Sequence, residues 1–206
     1  MAGLAEPRAT GVALGRTAEV LGHIAEPGQA AAIWTRGRDP GLARWLDDLP
    51  EAQLPAIRQA CTVRCAGMVA AAACAAAGLA NGAGRQLLCE DVATLARLLG
   101  RIVAVEALHL RLEVVRDDAC RKFHLDRVTA RLLCSYRGAG TEYGRAPAGG
   151  MPTGIRHMAT GDVGIFRGSL WPGDAPADLV HRSPPLSGGG GVRLLLVLYP
   201  LAAGHG

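Results

Sequence analysis

The segment at residues 192–199, with the sequence VRLLLVLY, most constrains what this chain can fold into. It is apolar except for Arg193 and the terminal Tyr199, and it lies between the loop-forming SGGGG stretch and Pro200. A short, continuous apolar run bounded by turn residues is typical of a strand buried in a sheet. The segment therefore predicts a buried strand near the C-terminal end of the chain.

The segments just before it also carry strand patterns. In HLRLEVV, residues 109–115, apolar and polar side chains alternate, which is the period of a strand with one buried face. RVTARLLCSY (127–136), GDVGIF (161–166) and LVHRS (179–183) are shorter strand candidates, and glycine- or proline-rich turns separate them. The chain after about residue 106 is thus predicted to be mainly strand.

The preceding part of the chain shows helical signals instead. Asp39 and Pro40 suit the N-cap and first turn of a helix that ends at Pro50. Residues 55–79 are alanine-rich with a helical pattern, and residues 89–108 have the apolar spacing of an amphipathic helix. Residues 31–36 are a short strand candidate, and residues 1–28 are predicted to form a loosely ordered arm.

Helices followed by strands indicate an α+β fold, with an antiparallel sheet or sandwich that carries helices on one side. The helical part is placed at about residues 40–105 and the strand part at about 106–200. A chain of 206 residues fits one domain of ordinary size, which is predicted to span residues 29–206.

Composition disfavours several classes of function. The net charge is only +4 and the arginines are scattered, so no nucleic-acid-binding surface is predicted. The most apolar stretch, residues 68–79, is too short to cross a bilayer, and no signal peptide is recognisable. The six cysteines form no CxxC pair and are interpreted as free thiols that pack as small apolar side chains. A cytoplasmic protein is therefore expected.

Four residues of the strand-rich half make up a candidate metal site. His124 and Asp126 form an H-x-D pair, His181 follows on a later strand, and Arg193 opens the last strand. Two histidines and one carboxylate are the facial triad of non-haem Fe(II) oxygenases, which leaves coordination positions open. If residues 124–126 are extended, both side chains lie on one face of a strand and reach one ion. A buried arginine nearby suits the carboxylate of a co-substrate.

The same four residues also fit arrangements that hold no metal. His124 and Asp126 could form a catalytic pair, or a polar strand end held by a hydrogen bond. Arg193 could form a structural salt bridge, because an unpaired buried arginine is costly. Residue types and spacing alone do not distinguish these possibilities.

The same blocks carry a resemblance to known families. The order of H-x-D, GDVGIF, HRSPP and an arginine on the last strand resembles the double-stranded β-helix, or jelly-roll, dioxygenases that use Fe(II) and 2-oxoglutarate. CRKFHLDRVTARLLCSYRGAGTEYG and GDVGIFRGSLW, with AAIWTR and DPGLARWLDDLP, more closely resemble the uncharacterised bacterial family DUF1826. The resemblance implies a jelly-roll core behind N-terminal helices.

The dioxygenase resemblance also implies roles for single residues. His124, Asp126 and His181 would hold Fe(II), and Arg193 would bind the distal carboxylate of 2-oxoglutarate. Many of these enzymes have a serine or threonine two residues after the arginine, where this chain has Leu195. Tyr136 and Thr129 are the hydroxyl groups expected to replace it. Residues expected on the substrate side of the cavity are Arg131, Arg182 and Glu142.

The resulting hypothesis is a dioxygenase that hydroxylates an unidentified small-molecule or peptide substrate. The alternative is a zinc-binding protein of metal homeostasis, since two histidines and one aspartate also suit Zn(II) and the DUF1826 family is often linked with zinc limitation. A third possibility is a jelly-roll binding module without a working metal site.

Overall fold

The computed structural model describes residues 8–116, 122–147, 150–173, 175–185 and 191–201. The helices are α1 (Pro40–Asp48), α2 (Ala66–Ala76) and α3 (Ala83–Ile102), and short 3₁₀ helices span Ala18–Ala25, Glu51–Gln53 and Val63–Cys65. The strands are β1 (Gly11–Gly15), β2 (Gln29–Trp34), β3 (Ile57–Thr62), β4 (Ala107–Val115), β5 (Ala130–Arg137), β6 (Glu142–Arg145), β7 (Thr153–His157), β8 (Val163–Arg167), β9 (Leu179–Arg182) and β10 (Arg193–Pro200).

These strands form two sheets. Seven strands make the major sheet in the order β1-β2-β8-β5-β10-β4-β3, and three make the minor sheet in the order β7-β6-β9. Neighbouring strands are antiparallel, apart from the parallel pair β1 and β2. The predicted buried strand is confirmed as β10, which lies between β5 and β4.

Strand β10 divides two hydrophobic cores because its side chains alternate between the faces of the major sheet. Leu194, Leu196 and Leu198 belong to the core under the helices, together with Leu95 and Leu99 of α3. The opposite, inner face of the strand contributes to a second core, which also contains residues of the minor sheet. Its members include Leu195 and Val197 of β10, Phe166 of β8, and Tyr143 and Leu179 of the minor sheet.

The predicted α+β class is confirmed, but the predicted order of elements is wrong at the N-terminal end. Strands come first: β1 and β2 precede α1 and pair with each other in the major sheet. The 3₁₀ helix between them buries Leu21 and Ile24 completely, so residues 11–25 are built into the fold rather than forming a loose arm.

The alanine-rich segment at residues 55–79 is also not one helix. Its first part is β3, an edge strand of the major sheet, and the helix α2 begins only at Ala66. Helix propensity is a weak signal that long-range contacts override, and here pairing with β4 makes residues 57–62 a strand. No helix in the described ranges is both long enough and apolar enough to cross a membrane.

Candidate metal centre

His124 and His181 are joined through their backbones. The amide of each residue donates to the carbonyl of the other, with both N···O distances at 3.1 Å. This isolated antiparallel bridge sets the segment before β5 against β9 of the minor sheet. The two imidazole rings therefore lie side by side, with their centroids 4.9 Å apart.

Asp126 is held in place by the loop that follows β8. The amide of Ser169 donates to the Asp126 carbonyl at 2.8 Å, and the amide of Gly168 donates to the Thr129 carbonyl at 2.9 Å. A Cβ atom at Gly168 would lie 1.9 Å from the carbonyl oxygen of Val128 and 2.8 Å from that of Asp126. Only glycine allows these two backbone segments to approach so closely.

The three predicted metal ligands meet in one place. Asp126 Oδ1 lies 3.5 Å from His124 Nε2, and Asp126 Oδ2 lies 3.0 Å from His181 Nε2. One ligand atom from each residue falls within 4.8 Å of the others. His124 and Asp126 do not share a strand as expected: His124 makes the single bridge, and Asp126 lies in the loop before β5.

Both imidazoles are oriented by their surroundings. His124 Nδ1 lies 2.9 Å from the carbonyl oxygen of Lys122, so this nitrogen carries a proton. The hydrogen bond to Asp126 raises the pKa of His124, so a cation would displace the proton that Nε2 shares with Asp126. His181 is buried between His124 and Phe166, whose ring centroid is 4.9 Å away. Hydrogen bonding at the far nitrogen is the usual way in which a metal-binding tautomer is fixed, and it applies to His124. Nδ1 of His181 is buried and has no hydrogen-bond partner among the described residues.

The charge states of the two buried residues, His181 and Asp126, suit metal binding. Burial lowers the pKa of His181, which keeps its imidazole neutral. Burial acts to raise the pKa of Asp126, but its contacts with the two histidines and the charge of Arg131 hold that pKa well below its usual range. Neutral imidazole and ionised carboxylate are the forms that bind a divalent cation.

Two features of the three candidate ligands fit a bound metal ion: the distances between their ligand atoms and the hydrogen bonding of Asp126. Ligands at right angles and about 2.1 Å from one metal lie about 3.0 Å apart, near the carboxylate–imidazole distances found here. Asp126 Oδ2 is buried, yet no hydrogen bond reaches it from the described part of the chain. Buried carboxylate oxygens are normally satisfied, so an oxygen with spare lone pairs beside two imidazoles fits a cation.

Arg131 contacts the ligand group directly. Its Nε lies 2.9 Å from Asp126 Oδ2, close enough for an ion pair but not aligned as a hydrogen bond. Burial lowers the pKa of Arg131, Asp126 opposes that shift, and the charge of Arg111 adds to it. Arg131, which was expected near the substrate, therefore also neighbours the Asp126 carboxylate of the candidate site.

Arg193 is fully buried at the start of β10. Its Nε donates to the carbonyl of Ala139 at 2.7 Å and its Nη2 donates to the hydroxyl of Ser135 at 3.1 Å. Ser135 lies opposite Leu195 across β5 and β10. Position 195 carries leucine, and Ser135 of the neighbouring strand β5 places a hydroxyl beside Arg193 instead.

The two hydroxyl groups expected beside Arg193 lie elsewhere, which corrects that expectation. Tyr136 faces the helices and donates to Asp91 Oδ2 of α3 at 2.7 Å. Thr129 precedes the first residue of β5, whereas Arg193 lies beyond the last paired residue at the other end, roughly 25 Å along the strand. Neither side chain is brought to Arg193.

Glu142 and Arg182 pair with each other. They lie opposite one another on β6 and β9, and Arg182 Nε donates to Glu142 Oε2 at 2.6 Å. The guanidinium also stacks on the ring of Phe123 at 4.4 Å. This pair braces the strand that carries His181, while Arg182 also lines the adjoining cavity.

A cavity of about 790 Å³ opens beside the histidines. Leu133, Leu195 and Val197 form the apolar part of its wall, and Thr141 is a polar neighbour of the site. The sequence pattern did not identify Phe166 and Gly168 as parts of the site. Both lie in the GDVGIFRGSLW block, and that resemblance was the only signal that could have drawn attention to them.

Comparison with solved structures defines the class of fold. A dioxygenase for auxin oxidation from Arabidopsis thaliana, solved with 2-oxoglutarate, superposes with a TM-score of 0.51 and 10% identity, and the match covers 97% of this chain and 93% of that one. The corresponding rice enzyme gives 0.49 and 14%, covering 97% and 84%. A Pseudomonas putida prolyl-4-hydroxylase gives 0.43 and 14%, covering 90% and 99%. The match to the Arabidopsis enzyme shows that the chain shares the overall fold of that dioxygenase.

Within that fold class, the family can be stated directly. Residues 15–198 match the family DUF1826, described as a protein of unknown function, and the chain belongs to this family. No curated protein matches the chain.

Proposed function

We propose that this protein is a non-haem dioxygenase that depends on Fe(II) and 2-oxoglutarate and oxidises a small organic substrate. The observation that carries the proposal is the convergence of His124, Asp126 and His181 within 4.8 Å, beside a cavity in a jelly-roll fold. Two imidazoles and one carboxylate leave positions on a metal for a co-substrate and oxygen.

His181 and Asp126 would form the buried side of the metal centre, and His124 its more accessible side. The side chains of His181 and Asp126 are 5% and 9% exposed, whereas that of His124 is 39% exposed. Bound Fe(II) and 2-oxoglutarate would supply the oxidising chemistry. The task of the chain is to hold the ligands in one geometry and to limit access of water.

Arg193 and Ser135 are proposed to bind the distal carboxylate of 2-oxoglutarate. Arg193 occupies the inner face of β10, which it shares with Leu195 and Val197 of the cavity wall. A guanidinium and a hydroxyl side by side offer a carboxylate several charge-assisted donors in a fixed arrangement. The bonds of Arg193 to Ala139 and Ser135 fix the guanidinium before a ligand arrives.

Anaerobic titration tests the proposal. Purified chain freed of metal should take up one Fe(II), and added 2-oxoglutarate should produce a visible metal-to-ligand absorption band. His181→Ala should take up no Fe(II) and show no band. His23→Ala is the matched control, because His23 is an exposed histidine whose Nδ1 lies 2.7 Å from Glu26 Oε1.

Zn(II) belongs in the same experiment because two histidines and one aspartate also bind it well. Metal uptake without the band, and without consumption of 2-oxoglutarate, would contradict the dioxygenase proposal. Normal uptake of Fe(II) by His181→Ala would show that the site is elsewhere.

A further inference from the structure

Two arginines face each other across neighbouring strands of the cavity wall. Arg58 of β3 is paired in register with Arg111 of β4. Ile57 and Leu112, the pair next to them, pack with the helical core, so the arginines point to the opposite face of the sheet. Both line the cavity beside the histidines. We call Arg58 and Arg111 the arginine pair.

This arrangement is unfavourable for the fold by itself. Like charges directly opposite each other in an antiparallel sheet destabilise the pairing of the strands. Glu113 contacts Arg111 through Nη2 only. The Nε of Arg111 is buried and receives no hydrogen-bond partner from the described residues. A buried donor without an acceptor fits a ligand that brings one.

The cavity wall carries more positive than negative charge, although three of its arginines contact carboxylates: Arg111 contacts Glu113, Arg131 contacts Asp126 and Arg182 contacts Glu142. Five arginines line the cavity, and Glu113 is the one acidic residue among the described residues of its wall. The arginines are Arg58, Arg111, Arg116, Arg131 and Arg182. The remaining excess of positive charge in the cavity favours ligands of the opposite sign.

The arginine pair is separate from the metal ligands. Leu133, Val197, Arg111 and Arg58 follow one another across four adjacent strands. Strands lie about 4.8 Å apart, so Arg58 is roughly 14 Å from β5, the strand that carries Arg131. A ligand held by the arginine pair therefore has room to extend toward the metal centre.

We propose that the arginine pair binds the anionic group, a carboxylate, sulfate or phosphate, of a small acidic substrate. The inference rests on the proposed function and names the class of substrate for that site. Planar guanidinium groups bind such oxyanions through paired hydrogen bonds. A cavity of about 790 Å³ has the size of a small-molecule site.

Inorganic sulfate is the probe, and metal-free protein is the sample. Calorimetric titration in constant ionic strength should show saturable binding to the native chain. Arg58→Gln/Arg111→Gln should weaken that binding at least tenfold. Arg16→Gln/Arg44→Gln is the matched control, because it removes the same charge from two exposed arginines and should bind as the native chain does.

Thermal unfolding separates a binding role from a structural one. Removing one of two facing like charges should leave the melting temperature of Arg58→Gln equal to or above that of the native chain. If Arg58→Gln lowered the melting temperature, the two arginines would stabilise the fold, and the inference would be overturned. Sulfate binding that is absent, or unchanged in the double variant, would also overturn it.

The two proposals fail separately. Sulfate binding without Fe(II) uptake would support the anion site and contradict the dioxygenase. Fe(II) uptake with the 2-oxoglutarate band, but without sulfate binding, would support the dioxygenase and contradict the anion site. Neither measurement requires the natural substrate.

Discussion

The backbones of His124 and His181 exchange two hydrogen bonds of 3.1 Å, although 56 positions separate the two residues in the chain. The bridge depends on the backbone, so their side chains can be changed without removing it. Metal binding and the folding of this region can therefore be tested one at a time.

Replacing each histidine by alanine should affect stability differently. His181 is buried against Phe166, so His181→Ala should lower the free energy of unfolding of metal-free protein by about 2 kcal/mol. His124→Ala should lower it by less than about 1 kcal/mol, since that side chain is 39% exposed. Both variants should lose the rise in melting temperature that Fe(II) gives the native chain. Equal losses of stability in chemical denaturation would contradict this assignment.

Gly168→Ala should weaken metal binding without touching a ligand. The added Cβ overlaps the carbonyl of Val128 at 1.9 Å, which pushes the backbone that carries Asp126. We expect a loss of about 1–3 kcal/mol in stability and at least about tenfold in Fe(II) affinity. Gly22→Ala is the control because a Cβ there has no neighbour within 4 Å. Unchanged affinity in Gly168→Ala would show that this contact does not position Asp126.

Ser135→Ala should weaken 2-oxoglutarate binding and spare the metal. The substitution removes the hydroxyl that Arg193 Nη2 contacts at 3.1 Å. The loss of about 1–1.5 kcal/mol corresponds to roughly tenfold in the dissociation constant for 2-oxoglutarate. Titration of the absorption band measures it, and Thr94→Ala, on the surface of α3, serves as the control. If Ser135→Ala bound less than one Fe(II) per chain, Ser135 would also affect metal binding, which would contradict this prediction.

The cluster of Arg36, Asp91 and Tyr136 should act on stability alone. Arg36 makes two bonds to the Asp91 carboxylate, at 2.6 and 2.7 Å, and Tyr136 donates to the same group. Asp91→Asn should cost about 3 kcal/mol because it leaves a largely buried arginine without its counter-charge. Tyr136→Phe should cost about 1.5 kcal/mol. If Tyr136→Phe changed the affinity for 2-oxoglutarate, the Tyr136 hydroxyl would have a role in co-substrate binding, which would contradict this prediction.

The thiols of Cys74 and Cys134 should resist alkylation in the native state. Burial raises the pKa of each thiol to about 12. At pH 8 about one molecule in ten thousand then carries the thiolate, the form that reacts. Labelling with iodoacetamide, followed by mass spectrometry, should rise about tenfold per pH unit past pH 9 without levelling off. Labelling as fast as in denaturant would contradict this burial.

Strands β4, β5, β8, β9 and β10 could be predicted because their signals are local, whereas β6 and β7 lie between the predicted strands, where only turns were expected. Runs such as VRLLLVLY and HLRLEVV have the periodicity of strands, and the structure places β10 and β4 there. β3 was missed because the alternation in IRQACT is faint and the segment adjoins the alanine-rich helix α2. Pairing with β4, a long-range contact, decides its structure.

The convergence of His124, Asp126 and His181 could be predicted from residue types and chain order, but the contacts that support these residues could not. A histidine two residues before an aspartate is visible in the sequence, whereas the contact of Gly168 with Val128 depends on the path of a distant loop. The position of Ser135 beside Arg193 likewise follows from strand register, which the sequence alone did not supply.

Strand β10 contributes to both hydrophobic cores, so the stability of the fold and the integrity of the cavity both depend on it. One face of this eight-residue strand packs against the helical layer. The other face carries Arg193 and forms part of the cavity wall beside the histidines. Local opening of this strand would expose the core and remove part of the wall of the proposed active-site cavity in the same event. Loss of the proposed Fe(II) and 2-oxoglutarate binding should therefore coincide with loss of structure on heating, and no folded form without this binding should accumulate before the melting transition.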